Sequence, residues 1–351
     1  MSRSGSRKTL FRLTAILLSL AAGVAMTEIA LRLFYPQESL LPRWAFSPEY
    51  CSSVYPWVRM VHERAGRWKF IYTINEDGYR GPRALVSSKA LVPTVIVLGD
   101  SYTFGAGVND GEEYAAVLGD LLQGAGRVVN LGVGGWGLTQ EIRRFYDFGI
   151  RFAPSVVVLQ SSANDPQDDL RCPVTEIVDG RFSFHDSHRG IFSIQKILSR
   201  SIIQRSHLYN LVRDRLYRLA EARRARKARA SLESDRPERS EIERPGSPEE
   251  LEYVQLLELF VRDLHARQIG VIVLTVNSQL RAFPRIAGAV ERLEGEGLLH
   301  FCDAADWLKD GTYEPSPEGH LWGARAHHVI GERLAEVVRG ALAESRPAPA
   351  R

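Results

Sequence analysis

Short apolar runs alternate with longer amphipathic segments along most of the chain. Five runs have the length and β-branched content of buried parallel strands: Thr94 to Leu98, Arg127 to Leu131, Ser155 to Gln160, Gly270 to Val276 and Leu298 to Cys302. Apolar positions at helical spacing lie between or after these runs, at Glu113 to Leu122, Leu138 to Phe148, Pro248 to Arg267, Pro284 to Leu293 and Gly323 to Leu342. Repeated strand and helix units predict an α/β fold with a doubly wound, mainly parallel sheet of five strands.

The N-terminal residues have the pattern of an export signal. Basic residues precede an uncharged stretch from Leu13 to Thr27. This stretch reaches the roughly 20 residues of a membrane-spanning helix if Glu28 and Arg32 lie at the far interface. We therefore favour an uncleaved signal anchor over residues 1–34, although small residues at positions 23–25 also fit a signal-peptidase site. Both interpretations place the rest outside the cytoplasm, on the periplasmic or extracellular face or secreted, because a basic flank stays inside.

Three further regions follow the anchor. Residues 35–92 are rich in Pro, Trp, Tyr and Arg and predict an extension packed on the main domain, with a strand at Trp68 to Ile74 and a turn at residues 75–78. Residues 93–345 form the main domain and residues 346–351 a tail. An insertion of about 171–247 separates the third and fourth strands and is longer than a crossover helix needs.

The insertion combines an apolar helical pattern with a basic run. The apolar positions are Leu208, Leu211, Val212, Leu216 and Leu219, and the basic run is Arg223, Arg224, Arg226, Lys227 and Arg229. We interpret it as a helix with a solvated basic end and a disordered link. The alternatives are a lid over the site, or a basic face that contacts anionic lipid or polysaccharide.

Charge and cysteine content exclude some classes of function. The 45 basic and 42 acidic residues give a formal charge of +3, which is too small to indicate a nucleic-acid partner. The three cysteines, Cys51, Cys172 and Cys302, contain no C-x-x-C pair, so we expect no metal site. An exported compartment would permit one disulfide, whose pairing the sequence leaves open.

Polar groups follow the first three predicted strands. Ser101 lies in a Gly-Asp-Ser turn, residues 132–137 form a glycine-rich turn, and Asn164 follows the third strand. The carboxyl ends of parallel strands lie at one edge of a sheet, so these groups supply a nucleophile and donors for an oxyanion at one place. His320, in a Pro- and Gly-rich loop near the C-terminus, is the candidate base, and Glu318 can orient its ring.

The glycine-rich turn also contains the pattern G-x-G-x-x-G at Gly132, Gly134 and Gly137. A dinucleotide site would need an acidic residue at the end of the next strand, and Val156 to Gln160 lacks one. We therefore expect no nucleotide cofactor. The glycines instead allow the backbone to approach an oxygen closely and expose an amide as a donor.

These blocks, in this order, resemble those of the SGNH/GDSL hydrolase superfamily, and residues 78–81 (Gly-Tyr-Arg-Gly) resemble its membrane-anchored bacterial members. The resemblance implies a flavodoxin-like SGNH fold with Ser101 as nucleophile and His320 as base. It also implies an oxyanion hole made by the backbone N–H groups of Ser101 and Gly135 and the side chain of Asn164. No cofactor or metal is implied.

Two positions depart from the family pattern. The acidic partner is usually Asp, whereas position 318 is Glu, so Asp310 and Glu314 stay open as alternative acids. A Gly commonly lies two residues before the Asn, whereas position 162 is Ser.

The leading hypothesis is an exported serine esterase that removes O-acyl groups, above all O-acetyl groups, from a carbohydrate polymer through an acyl-enzyme. One alternative is an O-acyltransferase that uses the same residues to acylate an envelope polysaccharide and depends on an acyl-donating membrane partner. A second alternative is a non-catalytic envelope protein that binds glycans.

Overall fold

The computed structural model describes residues 3–82, 92–187, 202–216, 219 and 248–344. These residues fall into two compact units. The smaller unit contains the chain up to Leu41, the segment His62–Lys69 and the described residues from 202 to 219. The larger unit contains the remaining described residues. The predicted basic run at 223–229 lies outside the described residues.

The smaller unit begins with a long helix, α1 (Arg3–Phe34). Its part from Phe11 to Phe34 is long and apolar enough to cross a membrane, with a mean hydropathy of 1.8 over an 18-residue window. A 3₁₀ turn, Ile202–Arg205, and a helix over residues 207–216, called the insertion helix below, also belong to this unit. The insertion helix matches part of the apolar helical pattern predicted from the sequence.

Five short strands precede the central sheet: β1 (Ser39–Leu41), β2 (Ala45–Ser47), β3 (Cys51–Ser53), β4 (Val58–Arg64) and β5 (Trp68–Ile74). β2 and β3 pair antiparallel. The turn predicted after β5 is present: Asn75 Oδ1 accepts from the N–H groups of Asp77 and Tyr79, at 3.0 and 3.3 Å. Gly78 has φ +74°, which glycine adopts without steric cost.

The remaining strands are β6 (Thr94–Leu98), β7 (Arg127–Asn130), β8 (Val156–Ser161), β9 (Thr175–Val178), β10 (Arg181–Phe184), β11 (Gly270–Thr275) and β12 (His300–Asp303). Five of them form the central sheet in the order β7-β6-β8-β11-β12, and every pair is parallel. The predicted doubly wound sheet of five parallel strands is therefore confirmed. β9 and β10 form a separate antiparallel hairpin that the sequence did not predict.

The helices of the larger unit are α2 (Ser101–Phe104), α3 (Tyr114–Leu121), α4 (Leu138–Asp147), α5 (Asp165–Arg171), α6 (Pro248–Ala266), α7 (Pro284–Gly295), α8 (Ala304–Leu308) and α9 (Ala324–Glu344). Successive residues of β6 point to opposite faces of the sheet. Ile96 and Leu98 pack with α4, α6 and α7, whereas Val95 and Val97 pack with α3 and α9. Both faces are covered, which explains why the strands are continuous apolar runs.

Cys51 and Cys172 form a disulfide across 121 residues of sequence, and Cys302 is a buried free thiol. This resolves the pairing that the sequence left open. The bond links β3 to the residue that follows α5, both within the larger unit.

His327 is fully buried in α9, and its Nδ1 accepts a hydrogen bond from the Tyr114 N–H at 3.2 Å. Burial lowers the pKa of His327 to about 3 from its ordinary value of 6.5. Between these two values the unfolded chain binds a proton that the folded protein does not. The contribution of His327 therefore makes the protein less stable as the pH falls below about 6.5.

This predicts a pH effect on stability that one substitution isolates. Between pH 6.5 and about pH 4.5, His327 should remove about 2 kcal/mol from the free energy of unfolding. In His327→Asn, whose side-chain oxygen can still accept from Tyr114, this part of the loss should disappear. Urea unfolding of both proteins at the two pH values measures it. Equal pH dependence of the two proteins would contradict the assignment.

Candidate active site

The Gly-Asp-Ser turn connects β6 to α2. Gly99 has φ +154°, and a Cβ there would collide with the side chains of Thr103 and Gln160. Asp100 is the N-cap of α2, and its Oδ1 accepts from the Tyr102 N–H at 2.9 Å. The chain therefore turns sharply at the end of the strand and places Ser101 on the first residue of α2, half-buried at the carboxyl edge of the sheet.

A chain of two hydrogen bonds links Ser101, His320 and Glu318. His320 Nε2 lies 2.8 Å from Ser101 Oγ, and His320 Nδ1 is hydrogen-bonded to Glu318 Oε1. A carboxylate only accepts, so Nδ1 carries the ring proton and Nε2 is left to accept from the serine hydroxyl. The Glu318 side chain is 6% exposed and that of His320 is 24% exposed, so the acid is shielded while the base reaches the surface.

Gly107 provides the room that the longer Glu318 side chain needs. Gly107 has φ +81°, and a Cβ there would collide with Glu318 Oε1 and the Ser316 side chain. Ser316 Oγ donates to the Gly107 carbonyl at 2.8 Å, and the Ser316 N–H donates to the His320 carbonyl at 2.8 Å. The structure thus holds Glu318 against the histidine, whereas Asp310 and Glu314, the alternative acids, are exposed.

Asn164 follows β8 close to the serine turn, but carboxylates hold both hydrogens of its amide. Nδ2 donates to Asp100 Oδ2 at 3.1 Å and to Asp168 Oδ2 at 2.8 Å. A substrate oxyanion would compete with Asp100, whose contact is the longer one. Asp100 also accepts from Ser162 Oγ at 2.8 Å, so Ser162, where the family commonly has Gly, joins the ends of β6 and β8.

Buried carboxyl groups surround this end of β8. Burial raises the pKa values of Asp165 and Glu141 well above their ordinary ranges, raises that of Asp168, and raises that of Asp169 to about 7. Burial thus favours the neutral forms of Asp165 and Glu141, which carry no charge to repel an oxyanion near Asn164. Sequence reasoning missed this cluster, because nothing local in the residues following β8 shows which of them the fold buries.

Three glycines of the turn after β7 pack against protein atoms. A Cβ at Gly132 would collide with Thr103 and the Phe104 N–H, one at Gly134 with the Trp44 ring at 2.8 Å, and one at Gly137 with Asp169. These three glycines are therefore needed for close packing within the protein. Gly135 differs: it is exposed, has φ +77°, and a Cβ there would meet nothing within 4 Å.

The two backbone N–H groups predicted to bind an oxyanion have no acceptor in the described part of the protein. Among the described residues, neither the Ser101 N–H nor the Gly135 N–H donates a hydrogen bond to a protein acceptor. Unpaired backbone N–H groups next to a nucleophile are what an oxyanion hole requires. The arrangement can therefore support attack of a serine hydroxyl on a carbonyl carbon.

Replacing Glu318 by glutamine should lower kcat for p-nitrophenyl acetate by about 10³- to 10⁴-fold. The amide NH₂ can donate to Nδ1, which favours the tautomer with its proton on Nε2, and Nε2 then cannot accept from Ser101 Oγ. Glu314→Gln, an exposed position in the same loop, is the matched control and should keep the original rate. A rate for Glu318→Gln within about tenfold of the control would show that the carboxylate does not set the tautomer.

A model of the GDSL-like lipase/acylhydrolase family matches residues 97–322, which is well over half of the chain. No curated protein matches the sequence. Solved structures with a similar fold include a putative lipolytic protein of the G-D-S-L family from Desulfitobacterium hafniense (15% identity, TM-score 0.41, covering 70% of this chain and 98% of that one). They also include a psychrotrophic esterase from Pseudoalteromonas sp. (11%, TM-score 0.39, 71% and 98%).

A third similar structure is a catalytic mutant of an acetylxylan esterase from Geobacillus stearothermophilus (16% identity, TM-score 0.39, covering 70% of this chain and 93% of that one). The family model spans residues 97–322 and therefore includes Ser101, Gly135, Asn164, Glu318 and His320. The chain belongs to the GDSL-like lipase/acylhydrolase family and is a serine ester hydrolase.

Proposed function

We propose that this protein is an exported esterase that removes O-acyl groups, in particular O-acetyl groups, from a carbohydrate polymer. The observation that carries the catalytic part is the chain of hydrogen bonds from Ser101 Oγ through the His320 ring to the shielded Glu318 carboxylate. The non-catalytic alternative rested on Glu at position 318, and Gly107 accommodates that residue beside the histidine.

In the first step, Ser101 Oγ attacks the ester carbonyl carbon while its proton passes to His320 Nε2. Glu318 stabilises the imidazolium that forms. The carbonyl oxygen becomes an oxyanion, which accepts from the Ser101 and Gly135 N–H groups and from Asn164 as Asp100 gives up its contact. Collapse of the tetrahedral intermediate breaks the bond to the alcohol, which takes the proton from Nε2 and leaves an acyl group on Ser101.

In the second step, His320 Nε2 takes a proton from water, and the oxygen of that water attacks the acyl carbon. The same N–H groups stabilise the second oxyanion. The intermediate collapses by breaking its bond to Ser101 Oγ, which regains the proton from Nε2. A carboxylic acid leaves and the enzyme is restored.

The proposed location and substrate have separate support. The apolar helix α1 with its basic N-terminal flank supports export, and the disulfide between Cys51 and Cys172 fits an oxidising compartment.

Trp44, half-buried against Gly134 and next to Gly135, offers an aromatic ring beside the oxyanion donors. An aromatic face at that place suits the stacking of a sugar ring.

The substrate proposal is tested by acetate release from acetylated polysaccharides by the full-length protein. We expect faster release of acetate from an acetylated polysaccharide than of longer fatty acids from glycerol esters. The reverse preference would overturn the carbohydrate assignment and leave the esterase in place. Adding saccharide acceptors and following acetylated saccharides by mass spectrometry gives the transferase alternative its own readout, since acyl transfer replaces water by a glycan hydroxyl.

A further inference from the structure

The carboxylate of Glu28 in α1 caps the insertion helix. Glu28 accepts hydrogen bonds from Ser206 Oγ at 2.8 Å and from the N–H groups of His207 and Leu208, each at 2.9 Å. The next two N–H groups of the helix, those of Tyr209 and Asn210, donate to Oγ and the carbonyl of Ser206. The N–H groups of His207, Leu208 and Tyr209, which have no helical acceptor in the first turn, are therefore all satisfied, two of them by α1.

Two more contacts join α1 and the residues just after it to the insertion helix and the 3₁₀ turn that precedes it. Arg32 donates to Glu28 at 2.8 Å and to the Arg205 carbonyl at 3.1 Å, and the Gln37 N–H donates to His207 Nδ1 at 2.9 Å. These contacts lie within the smaller unit. The contacts of Glu28 also explain why a carboxylate lies in a mostly apolar helix, since Ser206, His207, Leu208 and Arg32 each donate a hydrogen bond to it.

The insertion helix presents an apolar surface that the described part of the chain does not cover. Val212 and Leu216 are four residues apart, which places them on one face of the insertion helix, and they are 48% and 61% exposed. Leu219, which is also helical, continues this spacing three residues later and is 55% exposed. The apolar side chains of α1 are likewise exposed along its length. Several exposed apolar side chains close together indicate a binding surface, and both α1 and the insertion helix have such a group.

We propose that the insertion helix lies in the headgroup region of the membrane that α1 enters, with Val212, Leu216 and Leu219 inserted among the acyl chains. The partner is a lipid bilayer because the apolar face is fixed to the end of a helix apolar enough to cross one. In the sequence, five basic residues follow Leu219 between positions 223 and 229, a composition that anionic headgroups attract. The inference rests on the proposed retention of α1 in the membrane.

The test uses the full-length chain reconstituted in vesicles of phosphatidylcholine and phosphatidylglycerol. With Cys302 replaced by serine, a single Cys is introduced by Leu216→Cys and labelled with the fluorophore NBD, and doxyl-labelled lipid is then added as a quencher. Leu121→Cys, at an exposed position of the larger unit, is the matched control, and Leu17→Cys in α1 is the positive control. We expect the quencher to remove most of the emission from labels at positions 216 and 17. The emission from a label at position 121 should not change.

Emission at position 216 that stays unquenched while position 17 is quenched would overturn the inference and leave the proposed function intact. If position 17 is also unquenched, membrane retention fails and the inference fails with it, whereas esterase activity, assayed on the same samples, still reports on the catalytic proposal. A second variant, Glu28→Ala, removes the acceptor of three insertion donors. It should restore emission at position 216 and leave position 17 quenched, and unchanged quenching at both would contradict the role of Glu28.

Discussion

Replacing Ser101 by alanine should reduce kcat for p-nitrophenyl acetate by about 10⁵- to 10⁶-fold. The substitution removes the atom that forms the acyl-enzyme, and general-base attack by water is the only route that the remaining groups support. Ser101 Oγ is hydrogen-bonded to His320, so its loss should change the free energy of unfolding by about 1 kcal/mol or less. Steady-state kinetics measures the first effect and urea unfolding the second. A fluorophosphonate, which reacts with the nucleophilic serine, should no longer label the purified variant.

Ser183→Ala, in the remote hairpin strand β10, is the matched control and should keep full activity. A Ser101→Ala variant that retains activity within about a hundredfold of this control and still reacts with the fluorophosphonate would show that another residue is the nucleophile. His320→Ala should be about as inactive as Ser101→Ala, and the double variant should lose little more, because residues that act as a unit give strongly non-additive losses.

Much of the fold follows from local patterns of the sequence. All five strands of the central sheet and five of the helices were predicted within about two residues at each end, because strands buried on both faces are apolar runs and their flanking helices are long enough to show periodicity. The helices α2, α5 and α8 are too short for that signal. The β9-β10 hairpin was missed although its two-residue loop, Asp179-Gly180, with positive φ at both residues, is a recognised hairpin signal.

The candidate site could be predicted only as far as its residues lie in local motifs. Ser101, Gly135 and His320 each stand in a recognisable turn or loop, and the structure brings Ser101 within hydrogen-bonding distance of His320. The contacts of Asn164 with Asp100 and Asp168 depend on which side chains the fold places opposite each other, and no spacing in the sequence encodes that. The disulfide partner of Cys51 was undetermined for the same reason.

Arg80, in the Gly-Tyr-Arg-Gly segment, has a structural role. Its side chain is fully buried and donates to the carbonyls of Phe104, Gly105 and Val108, at 2.8, 2.6 and 2.9 Å. It also lies 3.4 Å from the carboxylate of Glu113, whose side chain is 3% exposed. The Arg80 guanidinium therefore donates to three backbone carbonyls in the segment that follows Ser101.

Replacing Arg80 by methionine should lower the free energy of unfolding by about 3–5 kcal/mol, because it removes a charged donor from three buried carbonyls and the positive charge beside the buried Glu113 carboxylate. The total free energy of unfolding of a globular protein is only about 5–15 kcal/mol, so the urea concentration at the midpoint of unfolding should fall sharply. Activity should also fall, because Gly107, between the Arg80 contacts, accepts from the loop that holds His320. Arg80→Lys keeps the charge but not the planar fork, and should lie between the two proteins. Arg59→Met, at an exposed position, is the control. If Arg80→Met lost no more free energy of unfolding than Arg59→Met, the proposed role of Arg80 in stabilising this segment would be refuted.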